Sequence, residues 1–168
     1  LDLVRQQASA VQPRPVDMAK VALTVIEEIM PIADAKKIDL GFSKEASVQI
    51  DADASAIQLM LRNAVDNALR YTPEGGEVTV RVCCENGDAV LEVIDNGPGI
   101  PEAELERVFD AFYRLPNNTQ VGSGLGLAIA RSIAEQFKGS VSLRNRTGGT
   151  GLIFSYRQKL SQTNIKGE

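Results

Sequence analysis

The sequence predicts an α+β two-layer sandwich, and three observations predict it. Segments of helical periodicity and segments of strand-like alternation are interleaved, in the order helix, strands, helix, hairpin, loop, helix, hairpin. The strands are joined as hairpins rather than by helical crossovers, which argues against a doubly wound sheet. The chain's 168 residues, 43% of them hydrophobic and 24% charged, suffice to close one core. No internal repeat is present.

Residues 1–12 read as the last turns of a helix, followed by a linker at 13–16 around Pro13-Arg14-Pro15. From Asp17 to about Lys37, apolar residues at Ala19, Leu23, Ile26, Met30 and Ala33 step by four and three, and Pro31 should kink that helix or bound it. Short strands are expected at Ile38–Ser43 and Val48–Ile50. Asp51 or Asp53 can cap a second helix that runs to about Tyr71, with Ile57, Leu61, Ala64 and Ala68 on its buried side. Two alternating runs, Glu77–Cys84 and Ala89–Asp95, are joined by Glu85-Asn86-Gly87-Asp88, whose Asn-Gly pair is a strong hairpin signal. Residues 96–124 form a long loop, functional or mobile, with one brief helical patch around Glu102–Phe112. Leu125–Lys138 returns to helix with Gly139 as its C-cap. Strands at Ser140–Asn145 and Gly151–Gln158 complete a domain spanning 17–160, and 161–168 reads as a disordered tail.

Composition excludes several functions. The chain has no histidine, so no Ser-His-Asp triad, His-containing zinc site or imidazole base can be built within it. Eighteen Lys and Arg against 22 Asp and Glu give a net charge of −4, which argues against a general nucleic-acid surface. Cys83 and Cys84 are adjacent in a strand-like run and read as reduced residues of a cytoplasmic protein. No stretch reaches the length of a membrane span and no signal peptide opens the chain. A first residue that is not Met suggests a piece of something longer.

Four clusters can carry chemistry. Asn63, Asn67 and Arg70 fall at i, i+4 and i+7, a polar stripe along the second helix that is either a solvated face or one wall of a site. Asp95 shares a strand face with Leu91 and Val93, so its carboxylate should point inward, where it needs a donor such as a ligand's amino group. Asn96-Gly97-Pro98-Gly99-Ile100 follows it, a tight turn by the plainer reading. Gly122-Ser123-Gly124-Leu125-Gly126-Leu127 opens the third helix, where free N–H groups and the helix dipole attract phosphate. It is neither a Walker loop nor a Rossmann fingerprint. Between the glycine clusters lies Phe109-Asp110-Ala111-Phe112-Tyr113-Arg114, an anchor packing the loop, or a lid whose Arg114 reaches a terminal phosphate.

In order, these segments resemble the N box (Asn63 to Thr72), G1 box (Asp95 to Gly99), F box (Phe109 to Arg114) and G2 box (Gly122 to Leu127) of sensor histidine kinases. The resemblance covers about residues 15 to 160. It implies the ATP-binding fold shared with gyrase and the MutL proteins: a mixed, mostly antiparallel sheet with three helices on one face and a flexible lid, here about 97–123. It also implies that Asp95 accepts from the adenine amino group beside Tyr71, with Gly97, Gly99 and Ile100 lining the base site and Thr150 supporting it. Asn67 corresponds to the Mg²⁺ ligand. Asn63 and Arg70 face the phosphates with Arg114, and these three are the catalytic candidates. Gly122, Gly124, Leu125, Gly126 and Leu127 correspond to the phosphate-binding backbone.

Where hydrolases of the superfamily carry a glutamate, Asn63 cannot take a proton, so transfer is favoured over hydrolysis. The resemblance implies an acceptor histidine on an upstream dimerisation domain, of which residues 1–12 would be the remnant, and relay to a response regulator aspartate. It further implies a membrane-bound homodimeric parent with this part in the cytoplasm and soluble. The alternatives are a serine kinase of the anti-sigma-factor type and a nucleotide-binding regulatory module without transfer activity.

Overall fold

The computed structural model describes residues 11–116, 122 and 124–165. Residues 1–10, which carry most of the expected helical remnant, and 117–121 and 123 of the expected lid lie outside the described residues. The chain begins with strand β1 (Arg14–Asp17), which pairs antiparallel with β3 (Gln49–Ala52) in a small two-stranded sheet. The linker expected at 13–16 is therefore a strand. Both strands of a two-stranded sheet are edges, where a proline's missing N–H breaks no ladder, so Pro15 is tolerated opposite Asp51.

Helix α1 (Met18–Ala35) starts at Asp17, whose carboxylate accepts from Ala19 N at 3.0 Å and Lys20 N at 3.4 Å. Pro31 lies inside α1 and does not end it. Its position is exposed, so water can reach the Glu27 carbonyl that the proline leaves unbonded. Helix α2 (Ala54–Tyr71) is capped by Asp53, which accepts from Ala56 N at 2.9 Å. Ile57, Leu61, Ala64 and Ala68 face the core as their spacing predicts. At the far end, Lys36 Nζ donates to Leu69 O at 2.5 Å and Arg70 O at 2.9 Å, tying the last open carbonyls of α2 to the end of α1.

The main sheet holds β2 (Asp39–Lys44), β4 (Glu77–Glu85), β5 (Asp88–Asp95), β6 (Ser140–Asn145) and β7 (Leu152–Lys159) in the order β2-β4-β5-β7-β6. Among the described residues only the β2–β4 pair is parallel, and β3 and α2 make its crossover. The β4–β5 turn places Asn86 at φ 52° and Gly87 at φ 80°, the geometry its Asn-Gly pair is suited to. α1 packs on β2, α2 on β4 and β5, and helix α3 (Gly126–Gln136) on β6 and α2. The opposite sheet face is polar. There Glu92, only 5% exposed, is held by Arg81 at 2.8 Å and Arg144 at 3.2 Å.

Two further expectations are corrected. Gly139 is not the left-handed residue that ends α3; Lys138 is, at φ 62°, while Gly139 N donates to Ala134 O at 2.8 Å. The glycine is required for space, since a Cβ there would lie 2.6 Å from the Tyr156 ring and 2.9 Å from Arg157 O. The tail expected from 161 onward is ordered at its start. Ser161 is buried, its N–H donates to Gln49 O at 2.8 Å and its hydroxyl to Asp51 at 2.7 Å, and a short helix α4 (Gln162–Ile165) follows. These bonds, with Gln158 Nε2 donating to Asp51 O at 2.9 Å, fasten the small sheet to the end of β7. In the long loop, the helical patch resolves into two 3₁₀ turns, Glu102–Glu104 and Arg107–Phe109.

Candidate functional site

A cavity of about 430 Å³ opens between α2, the turn after β5 and the start of α3. At one end stands Asp95, 6% exposed at the tip of β5. Its Oδ1 accepts from Gly97 N at 2.9 Å and Leu152 N at 3.2 Å, and no described residue donates to Oδ2. Burial raises its pKa above the usual carboxylate value, against the pull of those two N–H groups and of Arg146. Ile100, Val108, Leu127, Leu143 and Leu152 give this end apolar walls, and Tyr71 lines it from α2. The result is an apolar-walled end with one buried anionic acceptor, suited to an aromatic ring that carries an amino group.

The turn that floors this end is fixed from β6. Asn145 Oδ1 accepts from Ile100 N at 3.0 Å and its Nδ2 donates to Ile100 O at 2.6 Å. Gly99, at φ 72°, lies so close that a Cβ would sit 2.6 Å from Asn145 Oδ1.

The other end is polar. The stripe of Asn63, Asn67 and Arg70 lines the cavity, so it is a wall of the site and not a solvated face. Asn63 Nδ2 is buried with no hydrogen-bond partner among the described residues, a donor suited to a ligand. Across from it, the glycines permit close approach. A Cβ on Gly126 would lie 3.4 Å from Asn63 Oδ1, and one on Gly122 would lie 2.1 Å from Arg70 Nη1. Gly124, at φ 75°, accepts from Phe112 N at 3.1 Å, which ties the aromatic segment to the glycine segment. The N-terminus of α3 faces the same space with Gly126 and Leu127, and Arg114 completes the rim.

Three of the expected site residues do not line the cavity. The Gly97 N–H is spent on Asp95, Leu125 accepts from Ile129 N at 2.9 Å as α3 begins, and Thr150 is exposed, donating to Asn96 O at 3.5 Å. Conversely, Asp66 and Tyr113, which the resemblance does not place at the site, line it. Asp66 stands four residues before Arg70, and the i,i+4 charge rule could have found it. Nothing in the sequence marks Asn145.

Among the described residues there is no cluster of three or more His, Cys, Asp or Glu side chains. The cavity offers the amide oxygens of Asn63 and Asn67. Such a set fits a hard, oxygen-preferring cation that takes most of its ligands from phosphate and water, and does not fit a zinc or iron centre.

The sheet order and this cavity define a class, an α/β sandwich with a two-ended cavity between its helices and a long loop. Residues 52–162 match the family described as histidine kinase-, DNA gyrase B-, and HSP90-like ATPases. The sensor protein CutS of Streptomyces coelicolor is 37% identical over 155 residues, covering 90% of this chain and 37% of its own length. The sensor protein kinase PmrB of Pseudomonas aeruginosa is 41% identical over 142 residues, covering 84% of this chain and 30% of its own length. The solved structure of the mycobacterial sensor histidine kinase MprB superposes with a TM-score of 0.78 at 29% identity, covering 88% of this chain and 97% of that one. The chain belongs to this ATPase family, as a catalytic, ATP-binding domain of the sensor histidine kinase type. It spans about a third of the length of the curated relatives it matches.

Proposed function

We propose that this domain binds Mg·ATP and presents its terminal phosphate to a histidine on a separate upstream dimerisation domain, for relay to an aspartate of a response regulator. The observation that carries the reading is that one cavity joins a buried carboxylate, Asp95, to a polar end built from Asn63, Asn67, Arg70 and the glycines before α3. Asp95 Oδ2 would accept from the adenine amino group while Oδ1 stays on the backbone, so the base is read without rearranging the turn. Tyr71 and the apolar walls would flank the ring. Asn67 would offer its amide oxygen to Mg²⁺, and Asn63 Nδ2, already desolvated, would donate to phosphate oxygens. When bound, ATP supplies the transferable phosphoryl group and Mg²⁺ neutralises its charge.

Arg70, Arg114 and the α3 N-terminus would hold the phosphate chain in line, which is most of what phosphoryl transfer asks of a protein. An amide at position 63 cannot take a proton from water, which supports transfer over hydrolysis. With no histidine anywhere in the chain, the acceptor must be brought to it. Among the described residues no helix is long and apolar enough to cross a membrane, and the membrane-bound homodimeric parent rests on the sensor kinases this chain resembles.

Incubation with γ-labelled ATP tests the proposal. The chain alone should stay unlabelled, and fusion to a histidine-bearing helical domain should give a label that acid removes. An acid-stable label would point to a serine acceptor instead, and a label on the isolated chain would contradict the proposal.

A further inference from the structure

Arg70 stands between Asp66, which holds it, and Gly122, which leaves room for it. Its Nη2 donates to Asp66 Oδ2 at 2.8 Å, one turn back along α2, and Nη1 lies over the α-carbon of Gly122. Asp66 is its only side-chain partner among the described residues, and both side chains line the cavity. An arginine at a phosphate site must surrender several rotors of freedom to bind, and a carboxylate at i−4 removes that loss in advance. Asp66 is itself an anion and would repel phosphate by direct contact. Its half-exposed side chain is screened by water, whereas its hydrogen bond to Arg70 is direct.

We infer that Asp66 is a positioning residue for the phosphate chain, fixing the Arg70 guanidinium over Gly122 so that it faces the ligand. Gly122 is the other half of the device. A methyl group there would displace the guanidinium, the flexible end of a side chain, and leave the backbone where it is. The inference rests on the nucleotide reading above and adds to it a residue that need not touch the nucleotide.

The test measures Mg·ATP and adenosine affinities on the full chain, with thermal melts alongside. Asp66→Ala and Gly122→Ala should each weaken Mg·ATP about tenfold and leave adenosine affinity and melting nearly unchanged. Asp66→Glu, which still reaches Arg70, should recover most of the loss. In an Arg70→Ala background, Asp66→Ala should add nothing. Equal losses for ATP and adenosine, an additive double variant, or tighter ATP binding by Asp66→Ala would each overturn the inference. Failure of the wild-type chain to bind Mg·ATP would overturn the nucleotide reading itself.

Discussion

Asn145 grips Ile100 by both ends of its amide, accepting from the Ile100 N–H at 3.0 Å and donating to its carbonyl at 2.6 Å. One side chain thereby substitutes for a short strand pairing between the end of β6 and the turn that leaves Asp95. Gly99 has to be glycine for this amide to fit. The clamp stands where the long loop departs from the sheet, so it sets the position of Ile100 in the cavity wall.

Removing the clamp should loosen that turn. Asn145→Ala is expected to cost about 1–3 kcal/mol, the range for leaving buried or half-buried polar groups unpaired, and to weaken nucleotide binding. Asn145→Asp keeps the acceptor but sets a carboxylate against the Ile100 carbonyl, and should do no better than alanine. Denaturant unfolding, with hydrogen exchange at the Ile100 amide, checks both.

Asp95 should show opposite pH trends in stability and in binding. Its folded pKa is raised above 3.8 by burial, so the folded chain holds that proton more tightly than the unfolded chain does. Ionised Asp95 therefore detracts from stability at neutral pH, and the deficit shrinks as pH falls through the raised folded value toward 3.8. Nucleotide affinity should fall over the same window, because the protonated acid is the poorer acceptor. Asp95→Asn should flatten that stability trend and bind nucleotide poorly at every pH. Melting and titration series in matched buffers, on both proteins, report it.

The end of α3 makes a paired prediction. Gly139→Ala drives a methyl group into the Tyr156 ring and Arg157 O and should destabilise by about 1–3 kcal/mol. Lys138→Gly relieves a left-handed backbone at a non-glycine residue and should stabilise by up to about 1 kcal/mol. Chemical denaturation of the two variants decides which residue stops the helix.

Lys36 offers a test remote from the ligand. Its ammonium satisfies the carbonyls of Leu69 and Arg70, which immediately precede Tyr71. Lys36→Met should lower stability by about 1–2 kcal/mol and raise hydrogen exchange in the last turn of α2. Thermal melts with exchange mapping would show the effect confined to that turn.

What was legible in the sequence is what repeats or what needs glycine. The spacing of Ile57, Leu61, Ala64 and Ala68 gave α2 its inner face, Asn86-Gly87 marked the hairpin, and the alternation through Leu91 and Val93 aimed Asp95 inward. What was hidden depends on contacts across the fold. Pro13-Arg14-Pro15 looks like a linker because proline is excluded from sheet interiors, yet β1 needs only an edge partner. Ser161 looks like tail until Asp51 and Gln49 arrive from more than a hundred residues earlier. Asn145 carries no spacing signal, since its role exists only once β6 lies beside the Ile100 turn. Gly139 looks like a helix stop for its flexibility, yet the constraint on it is the Tyr156 ring above it.

One cavity should read a purine with Asp95 and hold its phosphates at the far end. Calorimetric titration of Mg·ATP into the wild-type chain and a folded Asp95→Ala variant tests it most directly. Saturable one-to-one binding is expected, weakened in the variant by about 1.5–3 kcal/mol as for a hydrogen bond to a charged group. Equal affinity in the two proteins, or no binding by the wild type, would contradict it.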